Sequence, residues 1–386
     1  MDCLRPETFG RMDLMSSDDR QTPGRFFLPG PTEVHPDVLA AMVQPMMSHR
    51  SSDFETLFAQ IQLGLRNIFR TTRPVYVATA SGTGLMEAAI HSARPGRILC
   101  LVNGAFGERF SDIARSLGRE VTEVGGDWDR PVSLSVVEDA LKLDPYSALT
   151  VVHSETSTGI ATSLEPLVKL AHNHDCAVLV DSVSGIGGMP VPTDAWNLDF
   201  VLTASQKALA LPPGLSFAVA SEEFITQASN AVNRGRYFDL LDYEQFVRRN
   251  QTPTTPALPL LYATAAQMER IARETIEKRW ERHRLMSERA RRWVRELRTR
   301  VGNEGITAFG PDEAASHTVI TVNIPSPLTA DDVIEAVAER GFTIGNGIGR
   351  WRHSTLRIGH MGEHTLHELE QVLRATGESI AEALGL

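Results

Sequence analysis

From about residue 54 the chain alternates between two hydrophobic periods. FETLFAQIQLGLRNIF repeats its apolar positions at helical spacing, PVYVATA is a compact apolar strand, GLMEAAIHSA is helical, RILCLV is a strand and FSDIARSLG a helix. The alternation continues through the strand ALTVVHS, the helix LEPLVKLAHNH and the strands CAVLVD and DFVLTAS. These strands are short continuous apolar runs, as strands covered on both faces must be. The pattern predicts a large α/β domain over residues 25–265, with a mainly parallel sheet and helices on both faces.

A charged helical stretch follows, from Ala265 to about Arg300, in which Ile271, Ile276, Trp280 and Leu285 stand among many Arg and Glu. It reads as one connecting helix over 266–300. Beyond Gly302 the order becomes strand HTVITVNI, helix ADDVIEAVAERG, strands FTIGNG and STLRIGH, and helix TLHELEQVLRATGESIAEAL. That order suits a small α+β domain over 301–386 with its helices on one face. Residues 1–24 are polar and end at Pro23-Gly24, which predicts a weakly ordered N-terminal arm.

Composition narrows the classes of function. With 42% hydrophobic and 22% charged residues in 386, the chain can bury a large core, which excludes disorder as its main state. Its 38 Lys and Arg against 48 Asp and Glu give a net charge of −10, so it lacks the basic footprint of a nucleic-acid or anionic-membrane binder. No stretch reaches the ~18 apolar residues of a membrane span, the first twenty residues mix charges, and the ending ALGL is not an SKL address; a cytoplasmic location is expected. Cys3, Cys100 and Cys176 show no CxxC spacing, so neither a disulfide nor a cysteine metal site is expected. His153, His172 and His174 form no zinc set, and no metal is expected. His49-Arg50 and His360 are read as solvated or hydrogen-bonded groups and are left out of the chemistry.

Three segments remain as candidates, each just past an expected strand. Ser81-Gly82-Thr83-Gly84 lies between PVYVATA and LMEAAIHSA, a junction where unpaired N–H groups and the helix dipole favour an anion. It matches neither GxGxxG nor the P-loop, so it is a phosphate turn or an ordinary glycine turn. GNGIG at 345–349 is not followed by a helix and reads as a turn. Asp181 ends the apolar run AVLV; it is either a crevice carboxylate that requires a cation or a capping aspartate. Lys207, in FVLTASQKALALPPG, is either a surface lysine or an amine whose pKa is lowered by desolvation for Schiff-base or proton chemistry. Together a phosphate turn, a strand-end acid and a strand-end lysine are the parts that pyridoxal 5'-phosphate requires in one crevice.

LPGPTEVHPDVLAAM, SGTGLMEAAI, NGAFGERF, ETSTG, VLVDSVSGIGGMP, TASQKALALPPGLSF, PTTP and LRIGHMG, spread over residues 28–362, resemble the class V aminotransferases, and within them the alanine-glyoxylate and serine-pyruvate branch. SQKAL with PPG downstream, preceded by the VDS aspartate, is the specific combination. The resemblance implies fold type I of the pyridoxal phosphate-dependent transferases. That fold has a large, mainly parallel sheet of the seven-stranded type flanked by helices, plus a smaller α+β C-terminal domain. It implies Lys207 as the Schiff-base lysine and Asp181 as the pyridinium partner, with Val183 on one ring face and Phe106 stacked on the other. Ser81, Gly82, Thr83 and Gln206 would bind the phosphate, and Thr156 would lie near the ring's oxygen or phosphate edge.

Gln251 and Thr254 match positions that complete the phosphate cup of the partner subunit in similar enzymes, although a Tyr usually stands where Gln251 does. The resemblance therefore implies a homodimer with its active site at the subunit interface. Arg357 lies in the alternating strand TLRIGH, with Leu356 and Ile358 pointing the other way, so its planar fork can face the cleft. The resemblance gives it the substrate carboxylate, with the Gly30 backbone across the cleft. The implied activity is ping-pong transamination between alanine or serine and a small 2-oxo acid, glyoxylate or pyruvate. One alternative is a same-fold lyase, a cysteine desulfurase or kynureninase-like enzyme, which Cys100 in a strand, Cys176 in a turn and Cys3 in the tail disfavour. The other is a non-catalytic protein that keeps the cofactor-binding fold, against which Lys207, Asp181 and Arg357 speak.

Overall fold

The computed structural model describes residues 24–126, 128–231 and 234–386. Cys3 and the expected N-terminal arm, apart from Gly24, lie outside the described residues. Helix α1 (Pro36–Ala41) is capped by the His35 side chain and α2 (Ser52–Phe69) by Ser51, whose Oγ accepts from the Phe54 amide. The alternating segment follows: β1 (Tyr76–Ala78), α3 (Gly82–Ser92), β2 (Ile98–Val102), α4 (Ala105–Ser116), β3 (Val121–Gly125), α5 (Leu134–Leu143) and β4 (Ala148–Val152). A two-residue pair, β5 (Ser154–Glu155) and β6 (Ile160–Ala161), precedes α6 (Leu164–His172), β7 (Ala177–Asp181), β8 (Phe200–Ala204) and β9 (Ser216–Ala220).

These elements build a seven-stranded sheet in the order β1-β9-β8-β7-β4-β2-β3. Every neighbouring pair is parallel except those of β9, which runs against both β1 and β8. β2, β4, β8 and β9 are buried along their whole length, which is why β2, β4 and β8 read as short, mostly apolar runs. The fold is thus the expected α/β arrangement around a mostly parallel sheet. β3, half exposed and carrying Glu123 at the sheet edge, and β9 have no counterpart in the sequence reading, because a polar edge strand and an antiparallel insertion break its pattern.

After α7 (Glu222–Ala228) and α8 (Leu240–Val247) come α9 (Leu258–Glu274) and α10 (Ile276–Val301). The single helix expected over 266–300 is therefore two. The break is Thr275, whose φ of 69° lies outside helical space while its side chain caps α10 through the Lys278 amide. Ile276 belongs to the core of the large sheet, whereas Met286, Ala290, Trp293 and Leu297 pack into a second core with Leu356 and Ile358.

That second core sits under a small antiparallel sheet of β10 (Val319–Asn323), β11 (Gly345–Asn346) and β12 (Thr355–Gly359), in the order β10-β12-β11, with α11 (Ala330–Glu339) and α12 (Leu366–Ala383). Only Gly345 and Asn346 of FTIGNG pair with β12. Thr343 bridges instead to Phe26, and Phe27 is buried in this core, so the segment just before Gly30 is anchored here. The first two residues of GNGIG are thus strand, and Gly349 opens a short 3-10 turn.

The topology matters for what lies at one edge of the large sheet. Because β4, β7 and β8 are parallel, their carboxyl ends emerge side by side, with Val152 opposite Asp181 and Asp181 opposite Leu202. β1 is reversed twice through β9 and so shares their direction. Ser81, Gly104, Thr156, Asp181 and Lys207 are all delivered to that edge, the place where open α/β sheets bind ligands.

Candidate active site

A cavity of about 290 Å³ opens at this edge. Gly30, Ser81, Gly82, Thr83, Phe106, Thr156, Asp181, Val183, Gln206 and Lys207 all line it. Ten residues from six separate stretches of chain are thus brought together as the sequence reading expects.

Lys207 is only 7% exposed, and its Nζ donates to the Pro29 carbonyl. Burial, with the Arg357 charge second, lowers its pKa to about 8. The opposing loop is held close: Thr32 N donates to the Gln206 carbonyl at 3.0 Å and Thr32 Oγ1 to the Lys207 carbonyl at 3.0 Å. Gly30 makes this approach feasible. Its φ is +106°, and a Cβ there would lie 2.6 Å from Lys207 Cδ and 2.7 Å from Nζ.

Asp181 is 2% exposed at the end of β7. Its Oδ1 accepts from the Val183 amide at 2.7 Å. Burial raises the carboxyl to about 7, against which the Val183 bond is too weak; Glu155 adds to the rise, and Lys207 and Arg109 oppose it. A buried acid in this condition favours a cation placed beside it, which would return it to its ionised form.

Ser81 is the N-cap of α3, but its side chain makes no capping bond; the Gly84 amide donates to the Ser81 carbonyl at 3.0 Å, and the Gly82 and Thr83 amides are left for another acceptor. Gly82 packs against Val183, whose Cγ2 would be 2.7 Å from an added Cβ. Gln206 Oε1 is buried without a hydrogen-bond partner. On another wall stands Phe106, its ring centroid 6.0 Å from Lys207 Nζ. Thr156 Oγ1 is bonded to Ser184 Oγ.

Arg357 does not line the cavity but reaches its wall from β12. Leu356 and Ile358 point into the second core, while the guanidinium donates to the Thr156 carbonyl at 3.2 Å and from Nε to the Asn346 carbonyl at 2.7 Å. Burial lowers its pKa to about 10. It has no carboxylate partner among the described residues, so it is a half-buried cation satisfied by carbonyls alone.

Gln251 and Thr254 are not brought to the cavity of their own chain. Gln251 Nε2 donates to Glu55 Oε1 at 2.6 Å, and the Thr254 carbonyl accepts from Thr252 Oγ1 at 2.8 Å. The sequence reading placed them at a partner's site, and one chain holds no partner.

The structure adds residues that the sequence reading passed over. Arg109 lines the cavity one helical turn after Phe106, its Cζ 4.7 Å from that ring's centroid. Its position within NGAFGERF was the available signal. Ser154 and Ser184 also line the wall. Glu155 is wholly buried behind it, in the ETSTG stretch that was read only through Thr156.

Comparison with known proteins finds relatives over nearly the whole chain. The aminotransferase class-V family model matches residues 29–375. An uncharacterised aminotransferase of Methanocaldococcus jannaschii is 33% identical over 344 residues, 87% of each chain. A serine–glyoxylate aminotransferase of Methylorubrum extorquens is 31% identical, covering 90% of this chain and 88% of that one. The solved alanine–glyoxylate aminotransferase from Nostoc sp. superposes with a TM-score of 0.86 at 29% identity, over 97% of this chain and 100% of that one.

Proposed function

Because the chain belongs to the aminotransferase class-V family and is an aminotransferase, we propose that it moves an amino group from alanine or serine to glyoxylate or pyruvate with pyridoxal 5'-phosphate as cofactor. The observation that carries the reading is the pairing of a buried acid raised to about 7 with a buried amine lowered to about 8 at the mouth of parallel strands.

The residues present fit the cofactor. The uncapped start of α3 and the Ser81 hydroxyl suit its phosphate, Asp181 without a cation suits its pyridinium nitrogen, and Lys207 suits its aldehyde. The orphaned Gln206 Oε1 marks a polar group waiting for a partner at the same wall. When bound, the cofactor supplies an aldehyde for covalent attachment and a ring that accepts the electron pair released at the substrate's α-carbon.

Lys207 does the proton work. With a pKa of about 8 its amine is free of its proton in a useful fraction near neutrality, so Nζ can take the α-proton of the amino acid and return it later in the transfer. Asp181 holds a positive charge at the sheet edge. Val183 and Phe106, which both line the cavity, would flank the cofactor ring and exclude water. Arg357 orients the substrate carboxylate with a two-pronged fork, and Gly30 leaves space across the cleft. The 2-oxo acid formed from the donor leaves, its amino group staying behind, before the second substrate enters the same cavity, which gives ping-pong kinetics.

The phosphate cup is completed by Gln251 and Thr254 of the partner subunit in a homodimer. In support, neither serves its own cavity, and the nearby chain exposes Val43 at 86% and Met46 at 64%. A desulfurase reading finds no thiolate among the described residues. Cys100 and Cys176 are buried, neither lines the cavity, and burial pushes Cys176 up to about 12.

Borohydride reduction of the purified protein followed by peptide mass spectrometry tests the assignment. The cofactor mass is expected on the peptide containing Lys207, and Lys207→Ala is expected to purify folded without it and without transamination. A tag elsewhere, or full activity in the variant, overturns the reading. Spectral titration with a panel of amino acids then identifies the donor.

A further inference from the structure

Helix α4 carries Phe106 in its first turn, yet its N-cap is Gly104, which has no side chain to close that turn. The closure comes from about fifty positions downstream. Ser157 Oγ accepts from the Ala105 amide at 3.0 Å, and Glu155 Oε2 accepts from the Phe106 and Gly107 amides at 3.1 and 3.2 Å. Glu155 Oε1 accepts from the Ser157 amide at 3.0 Å and from the Ser157 hydroxyl at 2.5 Å. Two side chains thus satisfy the first three N–H groups of the helix.

All four partners of the Glu155 carboxylate are donors, and the side chain is 0% exposed. A negative group at the start of a helix also meets the positive end of its dipole. Gly104 is the steric counterpart: a Cβ there would lie 2.2 Å from Glu155 Cγ and 2.6 Å from Ser157 Oγ. The next residue, Thr156, lines the cavity and holds Arg357 through its carbonyl.

We propose that Glu155 is a positioning residue for the transamination site: its carboxylate caps α4 from a distant loop and so fixes the Phe106 ring on one wall and Arg357, through Thr156, on another. The inference rests on the reading of Phe106 as the stacking ring and Arg357 as the substrate fork; Glu155 itself meets neither substrate nor cofactor. A carboxylate is required because every contact is a donor. A Gln in its place turns an amide NH2 against either the α4 amides or Ser157, and one side of the clamp opens.

Two readouts test it. In the cofactor-free protein, hydrogen exchange of peptides spanning 103–110 reads the clamp directly. Glu155→Gln is expected to speed exchange at the Phe106 and Gly107 amides by about 10- to 100-fold, the equivalent of one hydrogen bond to a charged group. The α5 peptides should exchange as before. In the loaded enzyme, Glu155→Gln is expected to lower kcat by about 10-fold or more, but to add less than about 3-fold when Phe106 is already Ala, since the two act through one element. Should Glu155→Gln fail to fold, Gly104→Ala displaces the same carboxylate and is expected to loosen the same amides. Unchanged exchange at Phe106 and Gly107, or kcat losses that simply multiply, overturns the proposal. If the wild-type chain shows no transamination, the function assigned above fails, while the exchange experiment still decides whether Glu155 caps α4.

Discussion

Asp181 and Lys207 leave adjacent parallel strands for one cavity, and burial drives them in opposite directions, the carboxyl up to about 7 and the ammonium down to about 8. Among the described residues Asp181 accepts a hydrogen bond only from a backbone amide, and the Lys207 amine donates only to a backbone carbonyl. Each is held near the midpoint of its titration at neutral pH by surroundings that have room for a ligand carrying the complementary groups.

This relationship has a stability consequence for the cofactor-free protein. Between its ordinary value near 3.8 and about 7, Asp181 binds a proton in the folded chain but not in the unfolded one, so its contribution to stability falls as pH rises through that window. Lys207 acts in the opposite sense above about 8, where the unfolded chain holds the extra proton and stability rises with pH. Asp181→Asn keeps the acceptor for Val183 but removes the buried charge. It is expected to stabilise the cofactor-free protein at about pH 8 by roughly 4 kcal/mol, from a shift of about three units at 1.36 kcal/mol each, and to change it little at about pH 4. The same variant, loaded with cofactor, should lose about 100-fold or more in kcat. Denaturant unfolding at the two pH values, beside a turnover assay, checks both; a stability difference that ignores pH counts against a buried, unpaired carboxylate.

Arg357→Lys replaces a planar fork with a point charge and gives up at least one of the two carbonyl bonds that aim it. The apparent KM for the amino acid is expected to rise by about 10- to 100-fold, the weight of a charged hydrogen bond, with cofactor retention unchanged. Steady-state kinetics beside a cofactor-release assay separates the two, and a parallel loss of both would assign Arg357 to holding the cofactor or the fold.

The large sheet was legible because buried stretches such as ILCLV and AVLV are unbroken apolar runs, and because Asp181 ends one such strand and Lys207 lies just past another. What the sequence concealed was set by contacts at long range. Thr275 interrupts a helical pattern that looks continuous, and only its φ of 69° shows the break. Phe27 joins the small core from the far end of the chain through Thr343. Glu155 sits among hydroxyl residues that give no local reason for a buried acid, since two of its four donors, the Phe106 and Gly107 amides, and the helix it serves become evident only when two loops are folded together.

Gly30→Ala probes how tightly the cleft is closed around the lysine. Its φ of +106° strains any residue with a Cβ, and the new methyl would meet the Lys207 side chain at 2.6 Å. Strain of this kind costs about 1–3 kcal/mol, so the protein is expected to fold with a lowered Tm. Lys207 would be pushed from its place beside Pro29, and borohydride labelling should fall sharply while far-UV dichroism stays native. Normal labelling would mean that Gly30 does not approach Lys207 as described.

Whether the phosphate cup crosses subunits can be decided by mixing two inactive chains. One carries Lys207→Ala; the other carries Gln251→Ala with Thr254→Ala, which should weaken cofactor binding by about 10-fold or more through lost hydrogen bonds. If the cup is shared, a mixed dimer holds one site with both defects and one with neither, because Lys207 of one chain meets Gln251 and Thr254 of the other. Random pairing in an equal mixture then makes about half the dimers mixed, and activity is expected to return to about one quarter of wild type at limiting cofactor. If each chain used its own Gln251, every site in the mixed dimer would carry a defect and mixing would restore nothing. The geometry favours the first outcome, since Gln251 is turned to Glu55 at 2.6 Å and stands apart from its own cavity.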